Sequence, residues 1–170
     1  RRDETDPRDN HIHWWQQLNP VTTEALIQLT LGAPQMLYNG GLLLAPIRHF
    51  DPDSDRPGLP PDVAALVESV EGERVDLHLV NLSVLSERTV RVQAGTLGEH
   101  EFAQVTYDKI VSEYPGPVGD YATPEVVTGS ETAQINDVYF DVALPPGTKI
   151  RLSLGLRRHV NPPSYAVSWR

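Results

Sequence analysis

Cysteine is missing from all 170 residues of the chain. Its absence excludes thiolate nucleophiles, thiolate zinc sites and disulfide cross-links, and it leaves the compartment, cytoplasmic or exported, open. A chain of this length can bury one real core without disulfides or a structural metal. Positive charge is scarce: Lys and Arg number 14 against 23 Asp and Glu, a formal net charge of −9. Such an acidic chain repels a phosphate backbone, which argues against nucleic acid as a partner and disfavours an anionic membrane surface. No apolar run approaches the length of a membrane span, and residues 1–20 carry no signal-peptide pattern. Familiar catalytic signatures are lacking as well: no Gly-x-Ser-x-Gly elbow, no phosphate loop, no Gly-x-Gly-x-x-Gly after a strand, no His-Glu-x-x-His helix. Their absence favours a protein without an autonomous catalytic centre. The opening stretch, residues 1–10, has no initiator Met and is as polar as a linker or tail. It reads equally as a piece cut from a longer chain and as a ragged start.

What is present is alternation. Val138, Phe140, Val142 and Leu144 alternate with Tyr139, Asp141 and Ala143, and Ile150, Leu152, Leu154 and Leu156 alternate with Arg151, Ser153 and Gly155. Period two marks strands with one buried face, and Pro145-Pro146-Gly147-Thr148-Lys149 between them predicts a reversal that closes an antiparallel hairpin. Further rungs run over residues 75–79, 90–94 and 103–107, with a Pro- and Gly-rich excursion over 114–130 and a closing strand over 165–169. Nearer the start, residues 35–38 and 42–50 read as strands around Asn39-Gly40-Gly41. Thr22 or Thr23 opens a short helix that ends at Gly32, and Asp62 caps a second, with Val63, Leu66, Val67 and Val70 on one face. The expectation is a mainly β protein: a single antiparallel β-sandwich of immunoglobulin or jelly-roll kind over 11–170, with two short helices near 22–31 and 63–70.

Several clusters suggest chemistry. Asp51, Asp53 and Asp55 alternate on a loop, and Asp62 falls at the twelfth position counted from Asp51, where a calcium loop of the EF-hand type places its closing carboxylate. Arg56 stands where that loop needs Gly, so calcium competes with a plain solvated acidic loop. His11 and His13 share one side of an extended stretch, a spacing used by metal sites that draw a third ligand from elsewhere. Gly98-Glu99-His100-Glu101 gathers a base and two carboxylates, which could suit acid–base work, but a polar turn between strands is the favoured reading. Trp14, Trp15 and Trp169 suit either a sugar-stacking surface or anchors that pin the ends of the domain. Asn81-Leu82-Ser83 has the form of an N-glycosylation acceptor, a three-residue match that chance also produces.

Leu77-His78-Leu79-Val80-Asn81-Leu82-Ser83, Arg88-Thr89-Val90-Arg91-Val92 and Leu144-Pro145-Pro146-Gly147-Thr148 together resemble the all-β accessory domains that end large multidomain bacterial carbohydrate-active enzymes. The likeness covers residues 73–157. It implies a noncatalytic structural or interaction module that supports a catalytic partner, as a neighbouring domain or subunit, or holds a glycan. Two alternatives remain: a glycan-binding module using Trp14 and Trp15, and a small metal-dependent sugar-processing enzyme using His11, His13 and Glu99 or Glu101.

Overall fold

The computed structural model describes residues 6–9, 22–34, 44–114 and 125–166. Among the described residues a 3-10 turn, Pro7–Asp9, is followed by one α-helix, α1 (Thr22–Leu31), and the elements after it are strands. These are β1 (Ile47–Asp51), β2 (Arg56–Pro57), β3 (Val63–Val70), β4 (Arg74–Asn81), β5 (Arg88–Ala94), β6 (Glu101–Tyr114), β7 (Glu125–Asp137), β8 (Tyr139–Leu144) and β9 (Lys149–Arg157). They form two antiparallel sheets, β2-β1-β5-β8 and β3-β4-β9-β6-β7. Among the described residues no helix is long and apolar enough to cross a membrane.

Both sheets contribute to one core. Ile47, Val90, Val92, Val142 and Leu144 of the first sheet are buried with Val75, Leu77, Leu79, Phe102, Leu152, Leu154 and Leu156 of the second. Phe102 meets Phe140 edge-on, ring centroids 5.0 Å apart, an arrangement worth about 1 kcal/mol beyond area burial. Inward residues sit two apart along β4, β5, β8 and β9, as the alternation in those strands requires.

Two expectations are corrected. The segment expected as a second helix, residues 63–70, is strand β3. Val63, Ala65 and Val67 pair with Asn81, Leu79 and Leu77, and a bulge between Val67 and Ser69 then brings Val70 opposite Val75. The extra residue returns Val70 to the face of Val67 three positions on, which imitates helical spacing. Leu66 pairs with His78 on the other face and is exposed. The expected hairpin over 138–156 does not close either: β8 pairs with β5, and β9 pairs with β4 and β6 in the other sheet. The turn between them is held elsewhere. Gly147 N–H donates to the Ser83 carbonyl at 2.9 Å, and Asn81 N–H to the Thr148 carbonyl at 2.9 Å. Alternation shows that a strand has an inside, but both sheets present an inside.

Of the excursion expected over 114–130, the described residues, Tyr114 and 125–130, are strand, and the rest lies outside the described residues. β6 and β7 pair as far as Tyr114 and Glu125, beyond the end of the β6–β9 ladder at Tyr107 and Leu152, so their ends form a two-stranded ribbon. Residues 162–166 are irregular. The expected strands over 35–38 and in most of 42–50 and 165–169 lie outside the described residues or, at Leu44–Pro46 and Tyr165–Ala166, are not strand.

Candidate functional site

His11, His13, Trp14 and Trp15, the residues expected to bind a glycan or a metal, lie outside the described residues. The acidic ladder does not gather. Asp51 is buried and accepts a bond from Arg56 Nε at 3.2 Å, while Asp62, on a left-handed turn (φ 62°), pairs with Arg88 at 3.0 Å. Asp53 and Asp55 are exposed. Among the described residues no three His, Cys, Asp or Glu are placed to hold a metal ion. Spacing along the loop is only half of a calcium site, and here the first and last carboxylates are claimed by guanidinium groups.

The Glu99–His100 pair is not an open polar turn, since both side chains are buried. Gly95, at φ 80°, lets the chain fold back so closely that the Glu99 carboxylate lies where a β-carbon would be, 2.5 Å away. That carboxylate accepts the Leu97 N–H at 2.7 Å. His100 Nδ1 accepts the His159 N–H at 3.1 Å, which leaves the ring proton on Nε2, 3.9 Å from Glu99 Oε1. Burial pushes the His100 imidazole below its ordinary pKa, against the pull of the Glu99 charge. The segment after β9 completes the seal: Asn161 N–H donates to the Glu99 carbonyl at 3.3 Å and Ser164 N–H to the Leu97 carbonyl at 2.8 Å. A base and a carboxylate are close, yet their polar atoms are committed to tying the β5–β6 loop to the final segment. Glu101 is drawn off separately, paired with Arg157 at 2.5 Å.

Gly95→Ala is expected to destabilise the protein by about 2 kcal/mol, from the left-handed backbone and from expulsion of the Glu99 carboxylate. In a Glu99→Ala background the same change should cost only about half as much. Urea melts of the two singles and the double measure it, and strict additivity would refute the packing argument.

His49 on β1 is a second buried imidazole. Its Nε2–H donates to the Thr30 carbonyl near the end of α1 at 2.7 Å, and Nδ1 finds no partner among the described residues. Burial lowers its pKa to about 4. The pocket beside it, about 220 Å3, is lined by Thr30, Leu31, Arg48, His49, Gly58 and Leu59. Arg48 donates to the Thr96 carbonyl at 3.3 Å and lies 4.8 Å from the Phe50 ring centre, so its charge is engaged there.

Several described features are apolar and open, among them a hollow of about 410 Å3 lined by Ala64, Leu66, Glu68, His78, Val80 and Lys149 and the two that follow. A groove of about 300 Å3 runs between β8 and strands β6, β7 and β9, lined by Val105, Tyr107, Ala133, Ile135, Phe140 and Ile150 among others. The β4–β5 loop presents Leu82, Val84 and Leu85, which are 64, 79 and 88% exposed. That loop is rigidly built. Asn81 donates to the carbonyls of Ser86, Leu144 and Pro145, and Ser83 Oγ accepts the N–H groups of Leu85 and Ser86. Neither feature was among the sequence-level candidates. The residues that line the groove look like ordinary inward positions of strands, and only the relative placement of the two sheets leaves them uncovered.

No protein-family model, curated protein or solved structure matches this chain.

Proposed function

We propose that the chain is a noncatalytic interaction module, an antiparallel β-sandwich that serves a neighbouring domain or subunit of a larger, carbohydrate-related bacterial protein. The observation that carries this reading is the open apolar groove between the two sheets. Monomeric surfaces seldom leave such patches unused, and a rigid loop tip bearing Leu82, Val84 and Leu85 adds a second one. The polar clusters point the same way. Glu99, His100, Asp51 and Asn81 are buried and spend their polar atoms on backbone groups and ion pairs that hold loops in place. The resemblance to accessory domains of carbohydrate-active enzymes agrees, and the Val-Asn-Leu run on which it rests ends β4 and turns into the apolar loop.

A glycan array probed with the wild type beside Trp14→Ala and Trp15→Ala tests the reading. Silence across the array is expected. Glycan binding that either substitution abolishes would replace the interaction role with the glycan-binding one. Stoichiometric zinc, iron or manganese in the purified chain, lost on His13→Ala, would favour the metal-dependent enzyme instead.

A further inference from the structure

Four strands face five, and the groove lies where the shorter sheet stops. β8 is the last strand of the first sheet, paired on one side only among the described residues. The phase of its hydrogen bonding can be read from one contact. Ala94 N–H donates to the Val138 carbonyl at 2.7 Å, while Gln93 stands opposite Tyr139. In an antiparallel ladder this makes Gln93–Tyr139 a non-hydrogen-bonded pair. Alternation then turns the N–H and C=O of Phe140 and Val142 towards β5 and those of Asp141 and Ala143 away from it. Asp141 and Ala143 both border the groove.

We propose that the groove is the seat of an added strand. An extended peptide segment of a partner, apolar at alternate positions, pairs with the outer edge of β8 and lays its apolar side chains on Val105, Tyr107, Ala133 and Ile135. This rests on the interaction-module reading and specifies what binds and how. Main-chain bonds to the Asp141 and Ala143 groups supply affinity, and the apolar floor selects every second side chain of the incoming segment.

Size decides between a strand and a second folded domain. Six residues of β8 make an edge of ~20 Å, and an added strand stands ~5 Å from its neighbour. The ledge is therefore about 20 Å by 5 Å. A stable contact between folded domains removes about 800 Å2 from each partner, far more than this ledge offers, whereas a single strand fills it. The volume, about 300 Å3, lies at the lower end of ligand pockets and suits a few aliphatic side chains.

Among the described residues the edge also lacks the usual guards against pairing. β8 contains no Pro and pairs with β5 without a bulge. Its one charged residue, Asp141, is neutralised by Arg91, with Nε–Oδ1 at 2.6 Å and Nη2–Oδ2 at 2.7 Å. Elsewhere α1 packs against β3, and β2 is two residues long and ends in Pro57. Native edge strands are normally blunted by such devices.

A phage-displayed library of random decapeptides, selected in parallel on the full chain and on Ala143→Pro, tests the proposal. Ala143 is exposed and its N–H points outward, so Pro there removes one edge donor and spares the ladder to β5. The wild type should enrich sequences with apolar residues at alternate positions. A synthetic peptide from that set should slow hydrogen exchange at the Asp141 and Ala143 amides at least tenfold. It should bind at least tenfold more weakly to Ala143→Pro and to Ala133→Leu, which fills the floor of the groove. Failure to enrich alternating sequences, or equal binding to wild type and a folded variant, overturns strand addition. The glycan array reports separately. Trp14-dependent glycan binding with a successful peptide selection sinks the wider reading and keeps this one, and a silent array with a failed selection does the reverse.

Discussion

Asn81→Ala is expected to destabilise the protein by about 3–4 kcal/mol, with loss of order in both the β4–β5 loop and the β8–β9 turn. Asn81 is completely buried. Its Nδ2 donates to the carbonyls of Ser86 at 2.8 Å, Leu144 at 2.9 Å and Pro145 at 3.2 Å, and its Oδ1 accepts the Ser83 N–H at 2.9 Å. Removing the amide orphans these groups together, and each buried orphan costs about 1–3 kcal/mol, less where water can enter. Leu144 lies in the buried part of the site and water cannot replace its partner, so it takes the full penalty, and the other groups add a smaller share. For a domain of this size 1 kcal/mol moves the melting temperature by roughly 2–4 °C, so a fall of about 10 °C is expected. Asn81→Asp should be at least as harmful, because it turns a carboxylate oxygen towards three carbonyl oxygens. A variant melting within about 2 °C of the wild type would show that the amide does not hold the two loops. The same geometry disposes of the glycan acceptor motif: in the folded chain the Asn81 nitrogen is sealed inside, so modification there requires unfolding.

The strands that could be read from the sequence are those whose two faces differ sharply. β4, β5 and β9 place Val75, Leu77 and Leu79, Val90 and Val92, and Leu152, Leu154 and Leu156 inward, with polar residues between most of them. β3 was hidden because its bulge sets Val67 and Val70 three apart on one face. β7 was hidden because it is an edge strand on which, from Thr128 onward, Thr128, Ser130, Glu131, Thr132 and Gln134 surround two packed apolar positions, Ala133 and Ile135. The partition of β8 and β9 between sheets depends on long-range pairing with β5, β4 and β6, which alternation does not encode. Burial of Glu99 and His100 follows from contacts with His159, Asn161 and Ser164, some sixty residues away, and no local pattern announces it. The groove is a difference between two sheet widths. It exists only once both sheets are assembled, so none of its residues carries a sign of it alone.

Acidification should expose His49. The folded protein keeps this imidazole neutral down to about pH 4, because burial disfavours its charged form more than the Thr30 carbonyl favours it. In the unfolded chain it protonates near 6.5. Between those values the unfolded state binds more protons, so the His49 contribution is whole above about pH 6.5 and drains away as pH falls towards 4. At about 1.4 kcal/mol per pH unit the gap between the two states amounts to ~3 kcal/mol. His49→Gln keeps a donor for the Thr30 carbonyl and removes the titration. Urea melts from pH 7 to 4.5 should therefore show wild-type stability falling by roughly 2–3 kcal/mol more than that of the variant. His100, also depressed by burial, stays in the variant and preserves a residual slope of the same sign. The carboxyls do not confuse the comparison. Glu68 is held low by His78 and Arg151, and Asp76, where burial opposes bonds from Ser153 and Ser69, is also low. Both lose their contributions only below their ordinary values of 4.5 and 3.8, and they do so equally in the two proteins. Parallel slopes for wild type and His49→Gln would mean that the unpartnered Nδ1 is hydrated and the imidazole titrates freely, whatever the absolute stability of the variant.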